Sequence, residues 1–249
     1  MAPCAGSWTR APHRNFREVR SVNDETRLAA LANASAALVE DGMVVGLGSG
    51  STAEAFVRAL GGRVAQGLTI QGIPTSRRTE HIAREVGIPL TTLSDSQVVD
   101  LGVDGADEIA PGLALTKGRG GALLYEKLLA EVCNRWIIVA SSEKLVDQLG
   151  TRLALPVEIT PFGWETTQAR VEALGFDAPL RVAGDGVPIV TDGVHVLLDC
   201  ATGPIDDPRA LGVALKCLTG VVDHDLFIGL AAAALVCDPD GTIRELTAS

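Results

Sequence analysis

Apolar positions recur along this chain at two spacings, and the alternation between them predicts its architecture. From Thr26 to Leu38, the residues Leu28, Leu31, Ala32, Ala36 and Leu38 fall at helical spacing, and Gly42 follows at a stop position. Met43–Leu47 is an apolar run read as a short buried strand, and Gly48–Thr52 is a turn. Ala53–Leu60 carries Phe56, Val57 and Leu60 on one helical face and is expected to end at Gly61-Gly62. Leu68–Ile73, Val98–Val103 and Ile137–Ala140 read as further strands, with helices over Arg77–Val86 and Gly121–Asn134. Strands alternating with helices predict a parallel sheet covered on both faces.

The pattern changes after Gly150. Val157–Ile159 reads as a strand, Thr166–Leu174 as a helix and Pro179–Val182 as a strand. Val187–Thr191 and Val194–Leu198 flank Asp192-Gly193, a hairpin signal. Pro208–Leu218 is helical and Val221–Phe227 is a final strand, so the order approximates β-α-β-β-α-β, the ferredoxin-like arrangement. Ala231–Ile243 is apolar and is expected to return to the first unit. The expected fold is α/β. A Rossmann-like parallel sheet domain covers residues 23–150 plus 228–249, and a smaller ferredoxin-like α+β domain covers 151–227.

Composition restricts the partners. The 249 residues include 31 acids against 21 Lys and Arg, a net charge of −10, which argues against nucleic acid or an anionic membrane surface. An anionic small molecule would have to be drawn by a local basic cluster. The five cysteines are scattered without metal-ligand spacing and read as small buried hydrophobes in a reducing, cytoplasmic setting. No apolar run reaches the ~18 residues of a membrane span. Residues 1–22 carry Arg10, Arg14, Arg17 and Arg20 against Glu18 alone, and are read as a disordered extension. A transit peptide and a start placed too far upstream are the alternatives.

Three groups of residues carry candidate chemistry. Gly46-Leu-Gly48-Ser49-Gly50-Ser51-Thr52 follows a strand and opens a helix, so its N–H groups can converge on an anion, with hydroxyls from Ser49, Ser51 and Thr52. It lacks the lysine of a P-loop. A dinucleotide site needs an acid ~20 residues on, and Thr69–Ser76 offers none, which disfavours a nicotinamide-dependent reductase. A mononucleotide or sugar-phosphate cradle fits better, although a glycine turn alone also fits a purely structural role. Asp104 and Asp107 follow a strand at the ligand edge of an open sheet, where they suit hydroxyl binding and proton shuttling; Asp107 as a helix cap is the plainer reading. Lys117-Gly118-Arg119-Gly120 precedes a helix on which Glu126 lies off the apolar stripe, able to face the crevice or simply to be solvated. Lys144 is a further basic group at a strand's carboxyl end.

Together Gly48–Thr52, Asp104-Gly105-Ala106-Asp107, Lys117–Gly120 with Glu126-Lys127, and Lys144 resemble ribose-5-phosphate isomerases of the A type. Leu155–Glu158 and Gly220–Asp223 match that family too, and the similarity runs from about Asp24 to Ile243. The resemblance implies a cofactor-free and metal-free isomerase of the non-oxidative pentose phosphate pathway, usually a homodimer or homotetramer. Ser49, Gly50, Ser51, Thr52, Asp104, Gly105, Ala106, Asp107, Lys117, Gly118, Arg119, Gly120 and Lys144 would line the sugar-phosphate site, with Glu126 as catalytic base. Lys117 would stabilise an enediolate, and Asp104 and Asp107 would hold hydroxyls. Arg119 stands where glycine is common, Tyr125 where Arg or Gln is frequent and Ser49 for a common Thr; Arg119 and Tyr125 are candidates for adjusting substrate choice. A lysine frequent near the family's N-terminus is absent, with Arg27 the nearest substitute. A non-catalytic sugar-phosphate sensor is the rival of another class, but it would need an output module and no Glu126.

Overall fold

The computed structural model describes residues 23–96 and 98–248, so the extension read at 1–22 lies outside the described residues. The chain opens with α1 (Asp24–Ala36), β1 (Val44–Leu47), α2 (Ser51–Ala65), β2 (Gln71–Pro74), α3 (Arg77–Glu85) and β3 (Leu101–Asp104). Side chains start two of these helices: Asn23 accepts from the Thr26 N–H at 2.8 Å and Ser76 from the Thr79 N–H at 3.1 Å. Then come β4 (Glu108–Ala110), β5 (Ala114–Thr116), α4 (Leu123–Val132) and β6 (Trp136–Ser141). The remaining elements are β7 (Leu155–Ile159), α5 (Trp164–Glu172), β8 (Val196–Cys200), α6 (Pro208–Lys216), β9 (Val221–His224), β10 (Leu226–Phe227), β11 (Ala233–Cys237) and β12 (Ile243–Thr247).

The main sheet has the order β12-β11-β6-β3-β1-β2, parallel except for β12. The chain leaves β1 for β2 on one side and then crosses to β3 on the other. The carboxyl ends of β1 and β3 therefore flank a switch point, where open α/β sheets form their ligand crevice. Val45, Leu47, Val103, Ile137 and Val139 are buried with Phe56, Val57 and Leu60 of α2 on one face. Ile138 and Trp136 pack with Leu115 and Phe227 on the other.

Helix α2 does not end at Gly61-Gly62 but continues to Ala65. A Cβ on Gly61 would sit 2.4 Å from the Val86 Cβ, so this glycine is a contact point between α2 and the end of α3. Packing of Phe56, Val57 and Leu60 outweighs the ~1 kcal/mol per residue by which glycine weakens a helix.

The second unit forms a sheet β8-β7-β9, with Leu180 bridging to Leu198 on the outer side of β8. That is the ferredoxin-like strand order. The hairpin read across Asp192-Gly193 is reduced to a single bridge, Val190 to Val196, with another joining Val182 to Pro188 before it. Val187, Val190 and Val194 face solvent, so no buried face consolidates a ladder there. The strand read as Val221–Phe227 splits at Asp225: β9 pairs with β7, while β10 pairs with β5 in a small antiparallel sheet β10-β5-β4. The break serves Asp225, whose buried carboxyl turns inward to accept the Lys117 N–H at 2.7 Å.

Candidate active site

Three segments converge over the switch point. The turn after β1 lies directly on Asp104, because a Cβ on Gly48 would sit 2.3 Å from the Asp104 Cγ. Gly50, at φ 90°, then turns the chain into α2, so Ser51 and Thr52 stand at that helix's N-terminus, the polarity that favours an anion. The loop Lys117–Gly120 arrives from β5, and α4 presents Glu126 in its first turn. These elements enclose a cleft of about 360 Å³ lined by Ser49–Thr52, Gly105–Asp107, Lys117–Gly120, Glu126 and Lys144.

A single cation organises the floor. Lys117 is buried, and its Nζ lies 3.0 Å from the Asp104 Oδ1, donates to the Gly105 carbonyl at 2.6 Å and sits 3.7 Å from the Glu126 Oε2. Trp136 and Phe227, stacked at 5.5 Å, each place a ring centroid 5.7 Å from that ammonium. Burial works against the charge on Lys117, but Asp104, Glu126 and Asp225 outweigh it and hold the pKa above the usual lysine value. Burial raises Asp104 and Asp107, and raises Asp225 well above the ordinary carboxylate range. Burial pushes Glu126 up to about 8, against the pull of Lys117 and with the repulsion of Asp104 and Asp107 added. One ammonium cannot compensate this many buried carboxylates, so the cluster retains protons at neutral pH.

Most residues singled out in the sequence meet here, but three, Asp104, Ser49 and Tyr125, sit differently from expectation. Asp104 is 1% exposed and lies beneath the cleft, accepting from the Ser49 and Gly105 N–H groups at 3.2 and 2.7 Å as well as from Lys117. Its Oδ1 orients Lys117 and the glycine turn, while its Oδ2 is buried without a hydrogen-bond partner. The Ser49 hydroxyl is taken up by Thr75 and Ser76, both at 2.8 Å, which leaves Ser51 and Thr52 as the hydroxyls of the turn without a side-chain hydrogen bond among the described residues. Glu126 is not solvated: it is 5% exposed, and its Oε2 is buried without a hydrogen-bond partner. Tyr125 points into a neighbouring groove beside Leu93 and Leu128, away from the cleft.

Two further residues were missed in the sequence. The unpartnered Asp225 Oδ1 and Thr116 Oγ1 lie on residues lining a second cavity of about 370 Å³ behind the Lys117–Gly120 loop. The readable signal was the polar stretch Asp223-His224-Asp225 inside the segment read as a strand, Val221–Phe227. Arg27 stands beside Ser51, Thr52 and Lys144, with its guanidinium engaged by Asp24 and Glu143. Among the described residues no cluster of His, Cys, Asp or Glu is arranged to hold a metal ion, and no helix is long and apolar enough to cross a membrane.

The family model for ribose 5-phosphate isomerase A (phosphoriboisomerase A) matches residues 71–241, more than half of the chain. The chain belongs to the ribose 5-phosphate isomerase A family. Its relatives include the ribose-5-phosphate isomerase A of Synechococcus sp. (strain JA-3-3Ab), 51% identical over 226 residues covering 89% of this chain and 98% of that protein. Among solved structures, ribose 5-phosphate isomerase A from Methanocaldococcus jannaschii superposes with a TM-score of 0.85 at 34% identity, over 90% of this chain and 100% of the other. A D-ribose-5-phosphate isomerase in complex with phospho-erythronic acid superposes with a TM-score of 0.87 at 32% identity, over 91% of this chain and 100% of that one. Family membership and the floor built around Lys117 thus come from independent observations.

Proposed function

We propose that this protein interconverts D-ribose 5-phosphate and D-ribulose 5-phosphate by moving a proton between C2 and C1 through an enediolate, as a step of the non-oxidative pentose phosphate pathway. The observation that carries the reading is Glu126, a buried carboxyl lining the cleft with one oxygen unpartnered, opposite a helix N-terminus and 3.7 Å from a buried lysine. Such a carboxylate is a strong base because it is poorly solvated, and Lys117 stands where negative charge develops on the substrate oxygens. Asp107 is the carboxyl on the cleft wall suited to a sugar hydroxyl or to relaying a proton between O1 and O2, while Asp104 keeps Lys117 in place. Ser51, Thr52 and Lys144 form the anion end of the same cleft, suited to the phosphate. A related isomerase with phospho-erythronic acid, a phosphorylated four-carbon acid, supports a substrate of this class.

No step in this chemistry calls for a cofactor. Purified protein should turn over ribose 5-phosphate without added nucleotide, and turnover should survive exhaustive chelation with EDTA. Absence of activity from folded protein that binds the sugar phosphate would favour a sensor, and loss with EDTA reversed by a divalent ion would establish a metal requirement. The reading carries with it a cytoplasmic location and a homodimer or homotetramer, the latter measured by sedimentation equilibrium.

A further inference from the structure

The Lys117–Gly120 loop has a neighbour that the proposed chemistry leaves unused. Arg181, next to the Leu180 bridge, reaches across from the ferredoxin-like layer. Its Nη1 donates to the Arg119 carbonyl at 3.0 Å and, more weakly, to the Gly118 carbonyl at 3.4 Å. Its Nε lies 3.1 and 3.0 Å from the two carboxylate oxygens of Asp199 on β8, and Nη2 also donates to that carboxylate. With its side chain 15% exposed, the guanidinium is pinned between a carboxylate on one side and two loop carbonyls on the other.

A trans peptide is planar, so its N–H points opposite to its C=O. Drawing the Gly118 carbonyl toward Arg181 sends the Arg119 N–H the other way, and that N–H donates to the Asp107 Oδ2 at 3.1 Å. Drawing the Arg119 carbonyl toward Arg181 likewise sends the Gly120 N–H away from it, and Gly120, like Asp107, lines the cleft. The Gly118–Arg119 plane is also held within the loop, by the Gly121 N–H on the Gly118 carbonyl at 3.0 Å and the Arg119 N–H on the Lys117 carbonyl, but glycine at 120 would otherwise let the Arg119–Gly120 plane rotate at little cost. A donor that meets developing charge is effective only when it is aligned beforehand.

We propose that Arg181 is a positioning residue that fixes the Arg119–Gly120 peptide plane, aiming the Gly120 N–H at the reacting end of the sugar. The inference rests on the isomerase reading and extends it to a residue of the second layer. Its planar fork is suited to the task, because one guanidinium engages Asp199 and the loop carbonyls at once, which a lysine ammonium cannot match. The phosphate end of the cleft, at Ser51, Thr52 and Lys144, receives no contact from Arg181.

The test uses the full chain with Arg181→Met and, separately, Asp199→Asn, which frees the guanidinium from its anchor without removing it. Wild-type turnover of ribose 5-phosphate is measured first; its absence would overturn the isomerase reading itself. Given wild-type activity, Arg181→Met should lower kcat by about tenfold or more while leaving the inhibition constant of inorganic phosphate within about twofold. Asp199→Asn should lower kcat in the same direction, by roughly threefold. A kcat within twofold of wild type in folded Arg181→Met overturns the proposal, as does a parallel weakening of phosphate inhibition, which a general loosening of the cleft would produce. If Arg181→Met does not fold, an unchanged kcat in Asp199→Asn overturns it.

Discussion

Glu126 sits where its two protonation states differ sharply in cost, and its chemistry follows from that difference. Burial without a hydrogen-bond partner on Oε2 destabilises the carboxylate, which raises the pKa to about 8 and makes the ionised form a stronger base. Only the ionised form can take a proton from carbon, so kcat/KM should rise with pH and level off above about 8. A flat profile from pH 6 to 9 would move the base elsewhere. Glu126→Gln keeps the shape and removes the basicity, so kcat should fall roughly 10²–10⁴-fold while phosphate inhibition persists; a near-normal kcat would assign the base to Asp107. The position of Glu126 off the apolar stripe of its helix was readable in the sequence. Its burial was not, because the atoms that cover it come from the turn after β3 and the loop after β5. The same limit applies to Asp104, whose acidity is legible but whose cover, the Gly48 turn, is not.

At the scale of elements, the glycine turn and the N-terminus of α2 form one end of the cleft and Lys144, after β6, closes it. Backbone dipoles, two hydroxyls and one ammonium converge there, while the reacting-end groups lie on β3, β5 and α4. This separation predicts a division of labour. Lys144→Ala should raise KM for ribose 5-phosphate by roughly 10- to 100-fold, the worth of one charge-assisted hydrogen bond of about 1.5–3 kcal/mol. It should barely alter the turnover of free ribose, which should itself be poor, and equal effects on the two sugars would refute the phosphate role of this end. The strand–glycine turn–helix unit was legible because a buried strand, a glycine cluster and an amphipathic helix each leave a local pattern. The β4, β5 and β10 strands were not, since two or three residues are too few to show a period of two, and their pairing joins Leu115 to the distant Phe227. That small sheet nonetheless supplies the Phe227 ring beside Lys117 and the Thr116 end from which the Lys117–Gly120 loop departs.

For the whole molecule, the alternation of periods was enough to foresee a parallel sheet and a smaller antiparallel unit, but not the strand order that opens the crevice between β1 and β3, nor the electrostatic cost that assembling it imposes. The folded chain encloses Asp104, Asp107, Glu126 and Asp225 around Lys117, and all four carboxyls are shifted toward the protonated form. For such a group the native state binds more protons than the unfolded chain, so stability falls as pH rises from the unfolded pKa to the folded one. For Glu126 that interval runs from 4.5 to about 8. His224 acts in the opposite sense over the acid half: burial, with the nearby Lys127, lowers its pKa from 6.5 to about 4, so stability rises with pH between those values. Cys133 and Cys200, pushed up to about 12 by burial, add their own losses only above the ordinary thiol pKa. The interval from pH 6.5 to 8 is therefore free of His224 and of the thiols. Across it the Glu126 contribution should fall by about 2 kcal/mol, which lowers the thermal midpoint by roughly 5 °C in a chain of this size. Calorimetry in phosphate-free buffer at pH 6.5, 7.0, 7.5 and 8.0 measures the slope for the wild type and Glu126→Gln. Other carboxyls of the cluster contribute to both proteins, so the difference between the curves isolates Glu126. Glu126→Gln should gain stability over the wild type as pH rises, becoming the more heat-resistant protein at pH 8 while nearly inactive. Parallel curves would mean that Glu126 is already ionised at pH 6.5, and would remove burial as the source of its basicity.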